Sequence, residues 1–180
     1  MRAAFLGLTL LALVAAPAAG QEKTKSKGTA APIATELYEL CELFAKGDVL
    51  AVSTATEQGW LASETESDSI FVRAFDGSRS IEGVGEAGLF ALLESYPLVS
   101  FGYCRIDIAS PQAEVGVPDL HVLDWIEGDL QTIDTDTYGA WNGTHGGRDY
   151  LLLANQDELG FGLQLTIIDV HEDGQSENSP

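Results

Sequence analysis

Hydrophobic and polar residues follow two different periods along this chain, and each period predicts a different kind of element. Within residues 37–44, apolar side chains recur at the i, i+3, i+4 and i+7 positions of an amphipathic helix. Within residues 98–108, Cys104, Ile106 and Ile108 alternate with charged neighbours, as expected of a strand with one buried face. The chain therefore combines helices and strands, and we expect an α+β fold.

The same patterns predict a mostly antiparallel sheet with three to four helices packed on one face. Pro97 ends one predicted helix and Pro118 begins another, while Asp76 and Gly77 have the composition of a tight hairpin turn. The predicted helices cover residues 36–46, 49–58, 89–96 and 119–127, and the predicted strands cover residues 69–75, 78–82, 98–108, 137–142, 148–154 and 161–170. Short polar connections between the later strands favour antiparallel pairing, with one face of the sheet covered.

The N-terminal residues have the pattern of a cleaved export signal. Arg2 precedes an apolar run over residues 3–16, and Ala18 and Gly20 supply the small residues expected before a cleavage site. The predicted organisation is a signal peptide (1–20), a flexible basic linker (21–32), a single α+β domain (33–170) and a polar C-terminal tail (171–180). We expect a periplasmic or secreted protein, and the short alanine-rich leader is typical of bacteria.

The two cysteines, Cys41 and Cys104, are both placed on buried faces by these periodicities. In an exported protein, such a pair predicts one disulfide that joins the first helix to the sheet. The alternative is two free thiols that pack in the core as small apolar groups. A catalytic thiol is disfavoured, because the local sequence of neither cysteine supplies the exposed, cationic environment that stabilises a thiolate.

The charge of the chain restricts its partners. The sequence has 28 Asp and Glu residues against 9 Lys and Arg residues, a formal net charge of −19. Recognition of nucleic acid or of an anionic membrane needs clustered cations, so we expect no nucleic-acid partner, and no segment after the leader is apolar over the length of a membrane span. A basic protein or a small molecule is the predicted partner of a monomer. The alternative is that the charge serves solubility alone.

The segment 141–148 is the densest group of residues suited to molecular recognition. Trp141 offers a stacking surface, and Asn142 and His145 offer hydrogen-bonding groups. Arg148 adds one of the five Lys and Arg residues between positions 33 and 170. Together these four residues predict a ligand or partner site at the tip of a glycine-rich hairpin. The alternative is an ordinary turn, in which the glycines serve backbone geometry only.

Catalytic chemistry has a weaker basis in the sequence. His121, Asp124 and Trp125 share a face of the predicted 119–127 helix, which suits a His–Asp acid–base pair, although a solvated histidine is the simpler alternative. The spacing of His and Cys residues matches no zinc motif, and the acidic loops match no calcium motif. The familiar hydrolase and nucleotide-binding motifs are missing from the sequence. We therefore predict no metal and no cofactor, and whether the protein is an enzyme stays open.

Two functions from different classes remain. The favoured one is a non-catalytic binding or accessory domain that engages a basic protein or a small ligand. The alternative is a small extracytoplasmic hydrolase with His121 or His145 as general base. A pocket that holds either histidine beside a carboxylate or a hydroxyl would support the second function.

Overall fold

The helices and strands of the chain are seen in a computed structural model that describes residues 32–123 and 125–171. The two α-helices are α1 (Ile33–Lys46) and α2 (Ala51–Glu57), and a 3₁₀ helix spans Val117–Val122. The strands are β1 (Leu61–Thr65), β2 (Val72–Ile81), β3 (Gly85–Tyr96), β4 (Val99–Ala109), β5 (Glu127–Ile133), β6 (Asp136–His145), β7 (Arg148–Gln156) and β8 (Gly160–Val170). The predicted signal peptide, all of the linker before Pro32, Asp124 and the tail after His171 lie outside the described residues.

The eight strands form one antiparallel sheet in the order β1-β2-β3-β4-β8-β7-β6-β5. Strands β1 to β4 form one meander and strands β5 to β8 form another. Pairing between β4 and β8 joins the two meanders, with Cys104 opposite Leu165 near its middle. The connection from β4 to β5 runs from the centre of the sheet to its outer edge and contains the 3₁₀ helix. The fold is therefore mostly β, with the sheet antiparallel as predicted.

One face of the sheet, here called the helix-covered face, carries the core. Alternate residues of the central strands are buried there, as Ile106 on β4 and Leu165 on β8 illustrate. Helix α1 packs across β3, β4 and β8 on this face. A Cβ atom on Gly102 would overlap the carbonyl oxygen of Ala45, so the helix can lie directly on β4 only because this position is glycine.

A disulfide joins Cys41 on α1 to Cys104 on β4, with a Cα–Cα distance of 5.3 Å, and confirms the predicted bridge. Both cysteines are fully buried. Helix α1 ends at Gly47, which has a left-handed φ of 70°. The Gly47 amide donates to the carbonyl oxygen of Phe44 at 3.0 Å. The bridge and this stop together fix the position of the last turn of α1 above the sheet.

The structure has fewer helices than the three to four predicted. Residues 89–96, expected to be helical, belong to β3, where Leu89 and Ala91 are buried on the helix-covered face. The apolar spacing of this short segment fits both periods, and pairing with β2 and β4 along its whole length favours the strand. Of residues 119–127, also predicted helical, 119–122 belong to the 3₁₀ helix and Glu127 begins β5.

The hairpin predicted at Asp76 and Gly77 is also wrong, because both residues lie in the middle of β2. Strand β2 pairs with β1 on one side and with β3 on the other at this point, so the backbone stays extended. The turn comes later, at residues 82–84. The strands predicted over the last third of the chain are confirmed as parts of β6, β7 and β8.

Candidate functional site

The four residues of the predicted recognition hairpin do not form one site. Trp141 lies in the core with 1% of its surface exposed, whereas Asn142 is exposed on the opposite face of β6. The Trp141 indole donates to Nδ1 of His121 at 3.4 Å. His145 and Arg148 are register partners on the helix-covered face. Of the four, Arg148 lines a cavity on that face.

This cavity, here called the cationic cavity, has a volume of about 400 Å³ and opens beside the last turn of α1. Lys46, Arg73 and Arg148 line it, and they are three of the five Lys and Arg residues between positions 33 and 171. The other lining residues important here are Leu93, Ser95, Ser100, Ile167, Asp169 and His171. The cavity therefore combines cations, hydroxyls and apolar side chains.

Strand periodicity brings these side chains together. On the helix-covered face, apolar residues fill the middle of each central strand and polar residues follow at one end. Arg73 lies two positions before the buried Phe75 on β2, and Arg148 is the first residue of β7. Asp169 on β8 is paired directly with Ser100 on β4. Neighbouring antiparallel strands thus present their polar ends at the same edge of the core.

Ion pairs hold Arg73 and Lys46 at the cavity wall. Nε and Nη2 of Arg73 donate to the two carboxylate oxygens of Glu64 at 2.8 and 2.9 Å. These hydrogen bonds lower the pKa of Glu64, so this carboxylate stays ionised over the neutral range. Nζ of Lys46 lies 2.8 Å from Oε1 of Glu42, one helical turn earlier. Both cations are positioned in this way while 45% of the Arg73 side chain and 30% of the Lys46 side chain stay exposed.

Arg148 keeps more hydrogen-bonding capacity than its ion pair uses. Its Nε donates to Oδ2 of Asp169 at 2.7 Å, and neither Nη group donates to another side chain of the described residues. A guanidinium carries five N–H donors in a planar fork that fits an oxyanion. With 36% of its side chain exposed, Arg148 is able to present these donors to a ligand.

A serine, a histidine and an aspartate also meet in the cationic cavity. Oγ of Ser100 lies 3.0 Å from Nε2 of His171, which is a hydrogen-bonding distance. Nδ1 of His171 lies 3.9 Å from Oδ1 of Asp169, which is too long for a hydrogen bond. The His171 amide donates to the carbonyl oxygen of Leu98 at 3.0 Å, so the residue is tied to the turn between β3 and β4. The strongest contact of Asp169 is with Arg148.

The two histidines predicted as candidate general bases lie elsewhere. Nδ1 of His121 accepts a hydrogen bond from an indole, and the His145 ring packs 5.1 Å from the Trp125 ring. Within residues 32–123 and 125–171, neither histidine pairs with a carboxylate. Asp124, the predicted partner of His121, lies outside the described residues. The histidine beside a hydroxyl in a pocket is instead His171.

The sequence alone does not predict most of the residues that line the cationic cavity. His171 falls in the segment predicted as a polar tail, and Ser100 lies at a strand end, where an isolated polar residue carries no sign of function. The usable signal was the scarcity of cations. With five Lys and Arg residues in the domain, each could have been treated as a candidate ligand-binding group.

Comparison of the chain with protein-family models, with curated proteins and with solved structures gave no match. Among the described residues, no three His, Cys, Asp or Glu side chains are grouped as a metal site would require. No helix in that same part of the chain has the length and apolar character needed to cross a membrane. The interpretation of function therefore depends on the geometry of the cavity itself.

Proposed function

We propose that this protein is a non-catalytic binding domain that holds a small organic anion in the cationic cavity. One observation carries the proposal: three of the five Lys and Arg residues of the domain line a single cavity, in a chain with a net charge of −19. An acidic surface that served solubility alone would not require its few cations to converge. The concave, partly apolar shape is that of a ligand site.

The cavity cations act on a ligand at shorter range than the net charge does. The acidic surface repels anions, but screening limits this repulsion to about 8 Å at physiological salt. Hydrogen bonds from Arg148 and Arg73 act at contact distance and are strengthened by charge. Asp169, Glu42 and Glu64 balance the three cations in formal charge, so the cavity attracts an anion through its hydrogen-bond donors and not through a net positive charge. A ligand with one or two negative charges is therefore favoured over a polyanion.

The lining also favours a ligand with an apolar body. Leu93 and Ile167 belong to the apolar part of the wall, and Ser95 and Ser100 carry the hydroxyls. The volume of about 400 Å³ falls in the range of roughly 300–1,000 Å³ that small-molecule sites occupy. A carboxylate or phosphate head would accept hydrogen bonds from Arg148 while its carbon chain packed on the apolar wall. An inorganic anion has no carbon chain and would therefore lack the contact with the apolar wall.

Calorimetric titration with four probes tests the proposal: hexanoate, hexyl phosphate, inorganic phosphate and hexanol. We expect both hexyl anions to bind, inorganic phosphate to bind more weakly and hexanol to show no binding. Arg148→Met should weaken hexanoate binding about tenfold or more, since a hydrogen bond to a charged group contributes about 1.5–3 kcal/mol. Arg105→Met is the matched control, because it removes the same charge from the opposite face of the sheet.

Two results would contradict this function. Hexanol binding as tightly as hexanoate would show that only apolar contact matters. An equal loss of affinity in the Arg148→Met and Arg105→Met variants would show that net charge, and not the cavity, governs binding. Circular dichroism and the thermal midpoint of each variant establish first that the fold is intact.

The contact between Ser100 and His171 favours a second candidate function, hydrolysis of an ester of a similar anion. Ser100 Oγ would attack the carbonyl carbon while His171 Nε2 takes the hydroxyl proton and returns it to the leaving alcohol; water would then release the acyl group by the same route. Binding ranks first, because the 3.9 Å separation from Asp169 leaves His171 without the second hydrogen bond that fixes its tautomer.

A fluorophosphonate probe separates the two functions. If Ser100 is a nucleophile, the wild-type protein and Ser95→Ala should gain the mass of one phosphonyl group, and Ser100→Ala should not. Ser95 lines the same cavity and is therefore the matched control. No mass gain in the wild-type protein would exclude the hydrolase and leave the binding proposal unchanged.

We also propose that the mature protein is exported. The leader over residues 1–20 supports this, and a buried disulfide suits an oxidising compartment. The expected result is an extracytoplasmic protein whose N-terminus lies near Gln21. Recovery of the full-length chain from the cytoplasm would contradict export.

A further inference from the structure

The face of the sheet opposite α1, here called the open face, is not covered by any described helix or strand. Strand alternation nevertheless places large apolar side chains there. Phe90 and Leu151 are each 42% exposed and Leu153 is 36% exposed. The apolar side chains form two groups, Phe90 with Leu92 and Tyr103 on β3 and β4, and Leu151 with Leu153 on β7, and polar residues of β8 lie between the two groups. Exposed apolar side chains grouped on one uncovered face of a sheet mark an interaction site.

A hollow of about 330 Å³ lies within the open face. Arg105, Tyr138, Leu153 and Gln164 line it, and Gly162 lies in its floor. A Cβ atom on Gly162 would approach Oδ1 of Asn155 to 2.9 Å and would partly fill the hollow. The depression is large enough to accept one apolar side chain of a partner, as interface pockets do.

The charge on the open face is predominantly negative. Asp76 is the register partner of Phe90, and Asp149 is the register partner of Ile168. Arg105 is the exception among charged residues on the open-face strand positions, and two of its N–H groups donate to Asp107 at 2.7 Å each. The open face therefore combines exposed apolar side chains with carboxylates that outnumber its one cation.

We propose that the open face docks a cationic amphipathic segment of another protein. Apolar side chains of that segment would cover the central strands, with one of them in the hollow, and its Lys or Arg residues would meet the surrounding carboxylates. Charge complementarity selects this occupant. A second copy of this chain would bring the same carboxylates against themselves, and nucleic acid or an anionic membrane would be repelled. The surface lies on the opposite side of the sheet from the cationic cavity, so each site is tested independently.

Titration with defined peptides tests this docking. The probes are a ten-residue peptide of alternating Lys and Leu and its Glu–Leu counterpart, followed by fluorescence anisotropy of an attached dye. We expect the Lys–Leu peptide to bind, the Glu–Leu peptide not to bind, and the affinity to fall as salt is raised from about 0.1 to 0.5 M. The double variant Leu151→Ser/Leu153→Ser should lose about tenfold or more in affinity, because the variant keeps every charge and loses two exposed apolar side chains beside the hollow.

The matched control is Ile70→Ser/Leu98→Ser, which removes two apolar side chains that are 93% and 59% exposed and lie outside the open face. This variant should bind as the wild type does. Equal binding of the two peptides, or equal affinity of the wild type and Leu151→Ser/Leu153→Ser, would overturn the proposal. A dimer of the wild-type protein that the Leu151→Ser/Leu153→Ser variant abolishes would also overturn it, because the occupant would then be a second copy.

Discussion

Reduction of the disulfide between Cys41 and Cys104 should lower the stability of the domain by an amount that the structure defines. The bond closes a loop with a sequence separation of 63 residues. The chain-entropy model assigns a loop of this length about 4 kcal/mol at 25 °C. Both cysteines have 0% exposure, so the reduced thiols remain packed in the core and the main loss is the cross-link. In a domain of about 140 residues, each kcal/mol of lost stability lowers the thermal midpoint by about 3 °C, so we expect a fall of roughly 12 °C.

The assay is thermal unfolding followed by circular dichroism, with and without a phosphine reductant. Because the bond is buried, the protein is unfolded in reductant and refolded before the scan. Mass spectrometry after alkylation in denaturant confirms the state of both samples. A difference in midpoint below about 3 °C would refute the reasoning, since the unfolded chain would then gain little freedom from losing the cross-link. Two alkylated thiols in the untreated protein would contradict the bridge itself.

Three other predictions concern stability. Tyr150→Phe should leave the free energy of unfolding unchanged or raise it by up to about 1 kcal/mol, because the buried Tyr150 hydroxyl makes no hydrogen bond of ordinary length and angle within the described residues, where Lys46 and Glu42 are its polar neighbours; a decrease of more than about 1 kcal/mol in urea unfolding would contradict this. Sodium chloride should raise the thermal midpoint between about 0.1 and 1 M, since carboxylates far outnumber cations; a flat or falling midpoint would contradict charge repulsion. The lowered pKa of Glu64, caused by its hydrogen bonds with Arg73, gives stability that is present above the ordinary carboxyl pKa and is lost as pH falls through the lower folded value. In Glu64→Gln, the free energy of unfolding should therefore fall less between neutral and acidic pH than in the wild type, and the difference should be under about 1 kcal/mol because the pair is exposed. An unchanged pH dependence of urea unfolding would contradict the assignment.

The elements that the sequence predicts well are those whose apolar pattern is long or fits one period only. The stripe of α1 and the alternation of β8 are of this kind, and the predicted bridge between α1 and the strand that carries Cys104 is present. In β3 the leucines fit both the helical and the strand period. The choice between helix and strand depends on pairing with β2 and β4, which the local sequence does not contain. Gly77 has the composition of a turn residue, but β2 pairs with β1 on one side and with β3 on the other at this position, and these distant strands keep Gly77 in a strand.

The candidate site was less predictable than the fold. Arg148 is identified from sequence, but its predicted companion Trp141 belongs to the core, because the two-residue period of β6 turns it inward. The other residues of the cavity come from α1, β2, β3, β4 and β8, and only long-range strand pairing brings them together. His171 in particular follows the last strand and has no local pattern that distinguishes it from a tail.

Methyl NMR of the protein during titration with hexanoate tests the central claim, anion binding in the cationic cavity, most directly. Leu93 and Ile167 line the cavity, whereas Leu151 and Leu153 lie on the open face and serve as internal controls. We predict saturable shifts of the Leu93 and Ile167 methyl signals, intermolecular contacts between these methyls and the hexanoate chain, and loss of both effects in Arg148→Met. Shifts confined to Leu151 and Leu153, or no saturable shift at any methyl group, would contradict a ligand site in the cavity.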